Sequence, residues 1–180
     1  MRKTEFPPAY TLPDGRRVTI RTLTEEDLPA LEWEGEYRHF RRLYQQHYTN
    51  CQHGNNVCWV ACDADDRAIG QVFILLNARD VNVADGQHRA YLFSFRIRPE
   101  WRNQGLGNYI MSFVEEQLLL RGFLWLRLNV AKDNPAARRL YERRGYVVVG
   151  AEPGIWRYQD DAGEWQTVEE PAWKMIKALR

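Results

Sequence analysis

Arg102-Asn103-Gln104-Gly105-Leu106-Gly107 is the stretch on which the fold turns. An apolar run, Tyr91 to Ile97, precedes it, and a second, Leu106 to Leu120, follows. The first is short and aromatic, which predicts a buried strand. In the second, Leu106, Tyr109, Ile110, Phe113, Val114 and Leu118 recur at helical spacing. This predicts a helix over 105–121 that stops at Gly122. A strand, a glycine turn and a helix start form an anion socket. Glycine lets the main chain approach a ligand, the first helical N–H groups have no internal partner, and the helix dipole adds positive potential. A diphosphate is the natural guest. The dinucleotide fingerprint is excluded, because Ile110 stands where its third glycine belongs.

Further on, Leu124 to Val130 reads as a strand. Asn134 then caps a helix with Pro135 at its first position, and Gly145 ends it after Arg143 and Arg144. Asn134 and Tyr141 are seven residues apart, two turns along one helix face. Together, Arg102-x-x-Gly105-x-Gly107 and Asn134-x-x-Ala137-x-x-x-Tyr141 resemble the GCN5-related N-acetyltransferase (GNAT) family over about Val18 to Leu179.

The resemblance implies an α/β fold: a mixed, mostly antiparallel sheet of about seven strands flanked by about four helices. It implies acetyl-CoA as co-substrate, with its pyrophosphate held by Arg102, Gln104, Gly105, Leu106, Gly107 and Asn108. Pantetheine is expected along the main chain near Phe95 and Ile97, in a slot where the family parts two strands. Asn134 and Tyr141 are expected beside pantetheine and the thiol, Tyr141 as a catalytic residue. Arg98 and Arg138 read better as solvated surface charge than as phosphate ligands.

The chemistry expected of these groups has limits. Moving a proton from a phenol of pKa ~10 to a thiolate of pKa ~8.5 costs about 2 kcal/mol. Tyr141 is therefore expected to stabilise developing charge by a hydrogen bond. An alkylamine of pKa ~10.4 is about a thousandfold protonated at neutral pH, a handicap of roughly 4–5 kcal/mol. Something must take that proton. Tyr91 and Phe93 occupy the strand positions where the family often carries a base, and neither is one. The alternatives are Glu34, taken as the catalytic candidate, and Glu36, with Trp33, Tyr37 and Tyr44 nearby. Trp33, Glu34 and Tyr37 make an expected substrate wall for a small cationic amine, through charge and cation–π contact. A solvated helix face with buried aromatics explains the same residues. His88 falls in the turn after Gly86.

Composition bounds the rest. At 180 residues the chain is expected to be one domain, 1–180, with 1–16 as an N-terminal extension. A net charge of +1 argues against nucleic acid. No apolar run approaches the ~20 residues that span a bilayer, and the N-terminus lacks a signal core, so the expected home is the cytoplasm. Cys51, Cys58 and Cys62 are then expected to be reduced. His47, Cys51, His53 and Cys58 match no standard zinc spacing, so no metal is expected.

Thr24 is expected to start a first helix that Gly35 breaks, and a second is expected over 36–48. Asp14-Gly15, Asp63 to Arg67, Asp85-Gly86 and Asp160 to Gly163 predict turns. The expected strands include Ala68 to Val83 and a long final hairpin, Tyr146 to Tyr158 with Trp165 to Leu179, through which a homodimer is expected to pair. The function expected is acetyl transfer from acetyl-CoA to a primary amine. The rivals are a non-catalytic acyl-CoA-binding module and an enzyme acting on protein lysines or N-termini.

Overall fold

Eight strands form one sheet in the computed structural model, which describes residues 9–180; the start of the expected extension lies outside them. In chain order the strands are β1 (Tyr10–Thr11), β2 (Arg17–Thr22), β3 (Asn56–Cys62), β4 (Ala68–Leu75), β5 (Arg89–Ile97), β6 (Trp125–Ala131), β7 (Val147–Glu152), β8 (Ile155–Gln159), β9 (Trp165–Glu169) and β10 (Ala172–Ala178). The sheet runs β1-β2-β3-β4-β5-β6-β10-β7, and β8-β9 stand apart as a pair. Every neighbouring pair is antiparallel except β5–β6. A parallel pair needs a crossover, and the glycine turn and helix α2 (Leu106–Leu120) provide it.

The apolar stripe of α2, with Ile110, Phe113, Val114 and Leu118, packs on Val72, Ile74, Leu92, Leu126 and Leu128. On the other sheet face, Leu31, Phe40 and Tyr44 cover Cys58, Val60 and Phe73. Tyr44 belongs to helix α1 (Arg41–Gln52). Helix α3 (Pro135–Arg143) begins where expected: the Asn134 side chain accepts from the Ala137 amide at 3.1 Å, and Pro135 follows.

Five expectations need correction. The first helix is a 3₁₀ segment, Glu25–Gly35, with Pro29 inside it and Trp33 and Glu34 in left-handed backbone (φ 47° and 57°). Proline lacks the donor that an α-helix interior needs. Asp27 accepts from both the Thr24 amide and its hydroxyl, which fixes the start. The second helix begins at Arg41 rather than Glu36, behind a short 3₁₀ turn, Arg38–Phe40.

Strand β4 stops at Leu75, and the chain to Asp85 is a loop with one bridge, Asn77 to Asp85. The final hairpin is broken in both arms, beside Pro153-Gly154 and Pro171. Proline cannot donate to a ladder. The inner halves join the main sheet as β7 and β10, and the outer halves fold over α1, with Tyr158 4.9 Å from the Phe40 ring. Finally, Cys51 and Cys58 are bonded to each other, and Cys62 is the free, buried thiol. The end of α1 and the start of β3 bring the two sulfurs together across a seven-residue separation. That pairing also removes two of the four zinc ligands weighed from the sequence.

Candidate active site

The site is a gap in the sheet. Strands β5 and β6 pair from Arg89–Trp125 to Leu92–Leu128 and then separate, although β5 continues to Ile97 and β6 to Ala131. The divergence starts beside a bulge. Phe73 faces Phe93, but Gln71 faces Arg96, so β5 carries an extra residue there. Ser94 lies in left-handed backbone (φ 51°), and its hydroxyl accepts from Gln71 Nε2 at 2.8 Å.

The bulge shifts the side-chain alternation. Phe93 stays on the α1 face, beside Phe73 and His47, while Phe95 and Ile97 pack against the α2 core. The Arg98 amide donates to Ile69 O on β4. Alternation along the strand therefore turns the Ile97 and Phe95 amides toward the gap. Those are the two amides expected to meet pantetheine.

The mouth of the gap is the glycine turn. Among the described residues, the amides of 103–108 make no hydrogen bond within the protein; the first ladder bond is Tyr109 N–H to Gly105 O, at 3.1 Å. Gly105 has φ +83°, and Asn103 is also left-handed (φ 59°). Successive amides in such a turn, together with the α2 start, face an anion as a group. The turn is braced from below: the Tyr10 hydroxyl donates to Gln104 O at 2.8 Å, and its ring stacks on Tyr109, 4.8 Å away. Arg102 Nε donates to Ile97 O at 2.6 Å, tying the turn to the end of β5. Gly107 lies close to Leu140 of α3, which a Cβ would meet at 3.4 Å.

At the inner end, Tyr141 is 6% exposed, packed edge-on to Tyr146 at 5.7 Å, and makes no hydrogen bond through its hydroxyl among the described residues. Burial pushes its phenol up, and the neighbouring Tyr91 pushes the same way. Tyr91, on β5 opposite Arg127, is pushed up to about 12 by burial, with the Glu152 charge adding to the effect and Arg127 opposing it. Asn134 uses its side-chain oxygen as the α3 cap.

The acceptor wall differs from the sequence expectation. Glu34 is 77% exposed and both its oxygens accept from Arg98, at 2.7 and 3.0 Å, which lowers its carboxyl. Trp33 is buried at 6% and lies under the same arginines, 5.5 Å from Arg98 and 6.0 Å from Arg102. Tyr37 carries the Arg96 guanidinium over its ring at 4.1 Å, and Arg96 also donates to the Tyr44 hydroxyl at 2.6 Å. Arg138 pairs with Glu142 along α3. His88 sits in the turn, its amide donating to Asp85.

The structure thus puts Phe95 and Ile97 on the open edge of β5 with the turn behind them, Tyr141 near Tyr91 on the same strand, and Trp33, Glu34 and Tyr37 around Arg96 and Arg98. Tyr10, Ser94 and Arg96 were missed. None stands in a recognisable spacing, and a bulge built on serine rather than glycine leaves no mark in the sequence.

The geometry agrees with comparisons to known proteins. A family model described as acetyltransferase (GNAT) family matches residues 20–146. A curated relative from Salmonella typhimurium, ribosomal protein bS18-alanine N-acetyltransferase, is 30% identical over 132 residues, 71% of this chain and 80% of that one. Among solved structures, Ard1 from Thermoplasma volcanium superposes with a TM-score of 0.69 at 17% identity, covering 91% of this chain and 98% of that one. The S18-alanine N-acetyltransferase of Escherichia coli gives 0.66 at 21%, covering 90% and 94%. A spermidine N-acetyltransferase chimera built from Vibrio cholerae SpeG gives 0.68 at 20%, covering 90% and 95%. With an amide-lined turn at the mouth of a gap in its sheet and this match across most of its length, the chain belongs to the GNAT acetyltransferase family.

Proposed function

We propose that the protein transfers an acetyl group from acetyl-CoA to an α-amine at the start of a polypeptide. The donor half rests on the fit of the gap. Free amides at 103–108 suit a diphosphate, and the open edge at Phe95 and Ile97 suits an amide-bearing chain. Acetyl-CoA supplies the activated acyl group. The protein's residues position the amine, present main-chain donors where negative charge develops, and hold the Tyr141 phenol protonated beside the departing sulfur.

One observation carries the acceptor half: the wall's carboxylates are mostly held by arginines, Glu36 beside Tyr37 being the exception among the described residues. Glu34 is engaged by Arg98, Glu32 by Arg41 and Asp161 by Arg38. Arg96, by contrast, has no carboxylate partner among the described residues; its neighbours are Tyr37, Phe40 and Tyr44. A guanidinium there repels a polycation and welcomes a carbonyl or carboxylate set back from the amine. This displaces the small cationic amine expected from Glu34 and the aromatics. An α-amine of pKa ~7.7–8.0 also costs only about 1 kcal/mol to deprotonate at neutral pH, against roughly 4–5 for a lysine side chain. The Salmonella relative is named for an alanine acceptor on a ribosomal protein, which supports the same class.

Thiol release from acetyl-CoA tests this with three acceptors: an alanine-initiated hexapeptide, an N-terminally blocked lysine peptide and spermidine. The α-amine peptide is expected to show the highest kcat/KM by at least tenfold. Faster turnover of spermidine or of the lysine peptide would overturn it.

A further inference from the structure

The geometry points to Glu152 as the group that accepts the proton of the acceptor amine, from a strand on which the sequence offered no candidate. The inference rests on the acetyl-transfer function proposed above. The gap opens immediately after the Leu92–Leu128 pair, so the first β6 residue on its inner wall is Asn129. Leu126, Leu128 and Val130 belong to the α2 core, which leaves Arg127 and Asn129 on the opposite, acceptor face.

Asn129 Nδ2 donates to Glu152 Oε1, and Lys174 Nζ lies 3.3 Å from Glu152 Oε2. Strand β10 makes this possible: it lies between β6 and β7, with Ala172 opposite both Ala131 and Glu152. A carboxylate from the sheet's last strand is thereby carried across β10 to the wall of the gap. Its side chain is 31% exposed, neither sealed in the core nor free in solvent.

Its charged and titratable surroundings come from each packed element. Lys174 pairs with it from β10, and Tyr91 on β5 feels its charge together with those of Arg127 on β6 and Glu170 in the connection into β10. Arg127 is turned away to the Asn82 carbonyl. Lys174 is the near cation, and Asn129 fixes one oxygen. The proton acceptor is thus aimed from β7, while Tyr141 stands on the α3 side near Tyr91.

The step balances as follows. The ammonium of the acceptor gives one proton to a Glu152 oxygen. The freed nitrogen lone pair forms the C–N bond as the C–S bond breaks. The nitrogen then loses a second proton to the departing sulfur, whose negative charge the Tyr141 hydroxyl has held by a hydrogen bond. Glu152 returns its proton to water.

Glu152→Gln keeps the shape and the oxygen that Asn129 holds. At pH 7, with the alanine-initiated hexapeptide as probe, its kcat/KM is expected to fall about 5- to 10-fold, the share of the α-amine that is protonated there. Its affinity for CoA, read by calorimetry, is expected to stay within twofold. The defect is expected to shrink below about twofold by pH 9.5, where an α-amine is already free, and Glu152→Asp is expected to recover part of the rate at pH 7. A defect independent of pH, a rate within threefold of wild type at pH 7, or loss of CoA binding would each overturn the proposal. Wild-type protein that binds CoA and acetylates none of the three acceptors would remove the enzymatic function itself. Normal wild-type turnover with an unimpaired Glu152→Gln would remove this inference alone.

Discussion

Gly105→Ala tests whether the glycine turn is shaped for an anion or is merely a loop. At φ +83° an alanine pays the cost of left-handed backbone, about 1–2 kcal/mol. Its Cβ also collides with the Tyr10 hydroxyl, which must leave its place on Gln104 O. Losing that hydrogen bond adds about 1 kcal/mol. Together these make about 2–3 kcal/mol against the turn conformation that lines up the amides. CoA affinity is therefore expected to drop about 30- to 150-fold. The two contributions can be separated. Removing the hydroxyl in Tyr10→Phe leaves the nearest ring atom 3.5 Å from the new methyl, an ordinary contact. Tyr10→Phe alone already lacks that hydrogen bond, so in its background the added alanine costs only the backbone strain, a further loss of about 5- to 30-fold. Calorimetric titration with CoA reads both values, and urea unfolding checks that each variant is folded. CoA affinity of Gly105→Ala within threefold of wild type would refute the reasoning. An alanine that costs as much in the Tyr10→Phe background as in the wild type would refute the role given to Tyr10.

Three further outcomes are expected. Tyr141→Phe should lower kcat about 10- to 150-fold, the worth of a hydrogen bond to a charged group at about 1.5–3 kcal/mol, with unchanged CoA affinity; because burial raises this phenol, stopped-flow rates should show no basic limb from it below pH 10. Glu34→Gln should leave kcat within about threefold and the pH profile unmoved, since Arg98 already holds that carboxylate; a lost acidic limb would restore Glu34 as a base. Burial holds His47 at about 4, and its Nδ1 has no hydrogen-bond partner among the described residues, so the unfolded chain takes up a proton that the native fold refuses. Stability conferred by the neutral ring is present above pH 6.5 and lost as pH falls toward 4, by about 3 kcal/mol. Urea midpoints should show that loss and its flattening in His47→Leu, and equal slopes would contradict it.

The sequence made the donor half of the site legible and the acceptor half much less so. Glycines 105 and 107 and the Asn134-Pro135 start are local devices: each needs particular residues at particular spacings, so the chain displays them. The gap depends instead on where two strands, paired 36 residues apart, cease to pair, and no single position records that. Ser94 turns the phase of β5 without a glycine to mark it, which sends Phe93 and Phe95 to opposite faces. Glu34 looked like a base because the sequence could not show Arg98 clasping it. Glu152 reaches the wall only through the order β6-β10-β7, a long-range pairing, and the 3₁₀ segment kinks at two non-glycine residues that no propensity scale singles out.

The position of CoA in a crystal of the complex tests the central claim most directly. The diphosphate oxygens should lie within hydrogen-bonding distance of the amides between Gln104 and Asn108, pantetheine should pair with Phe95 and Ile97 along β5, and the sulfur should reach the Tyr141 hydroxyl. A diphosphate bound anywhere else on the chain, or pantetheine outside the gap between β5 and β6, would contradict it.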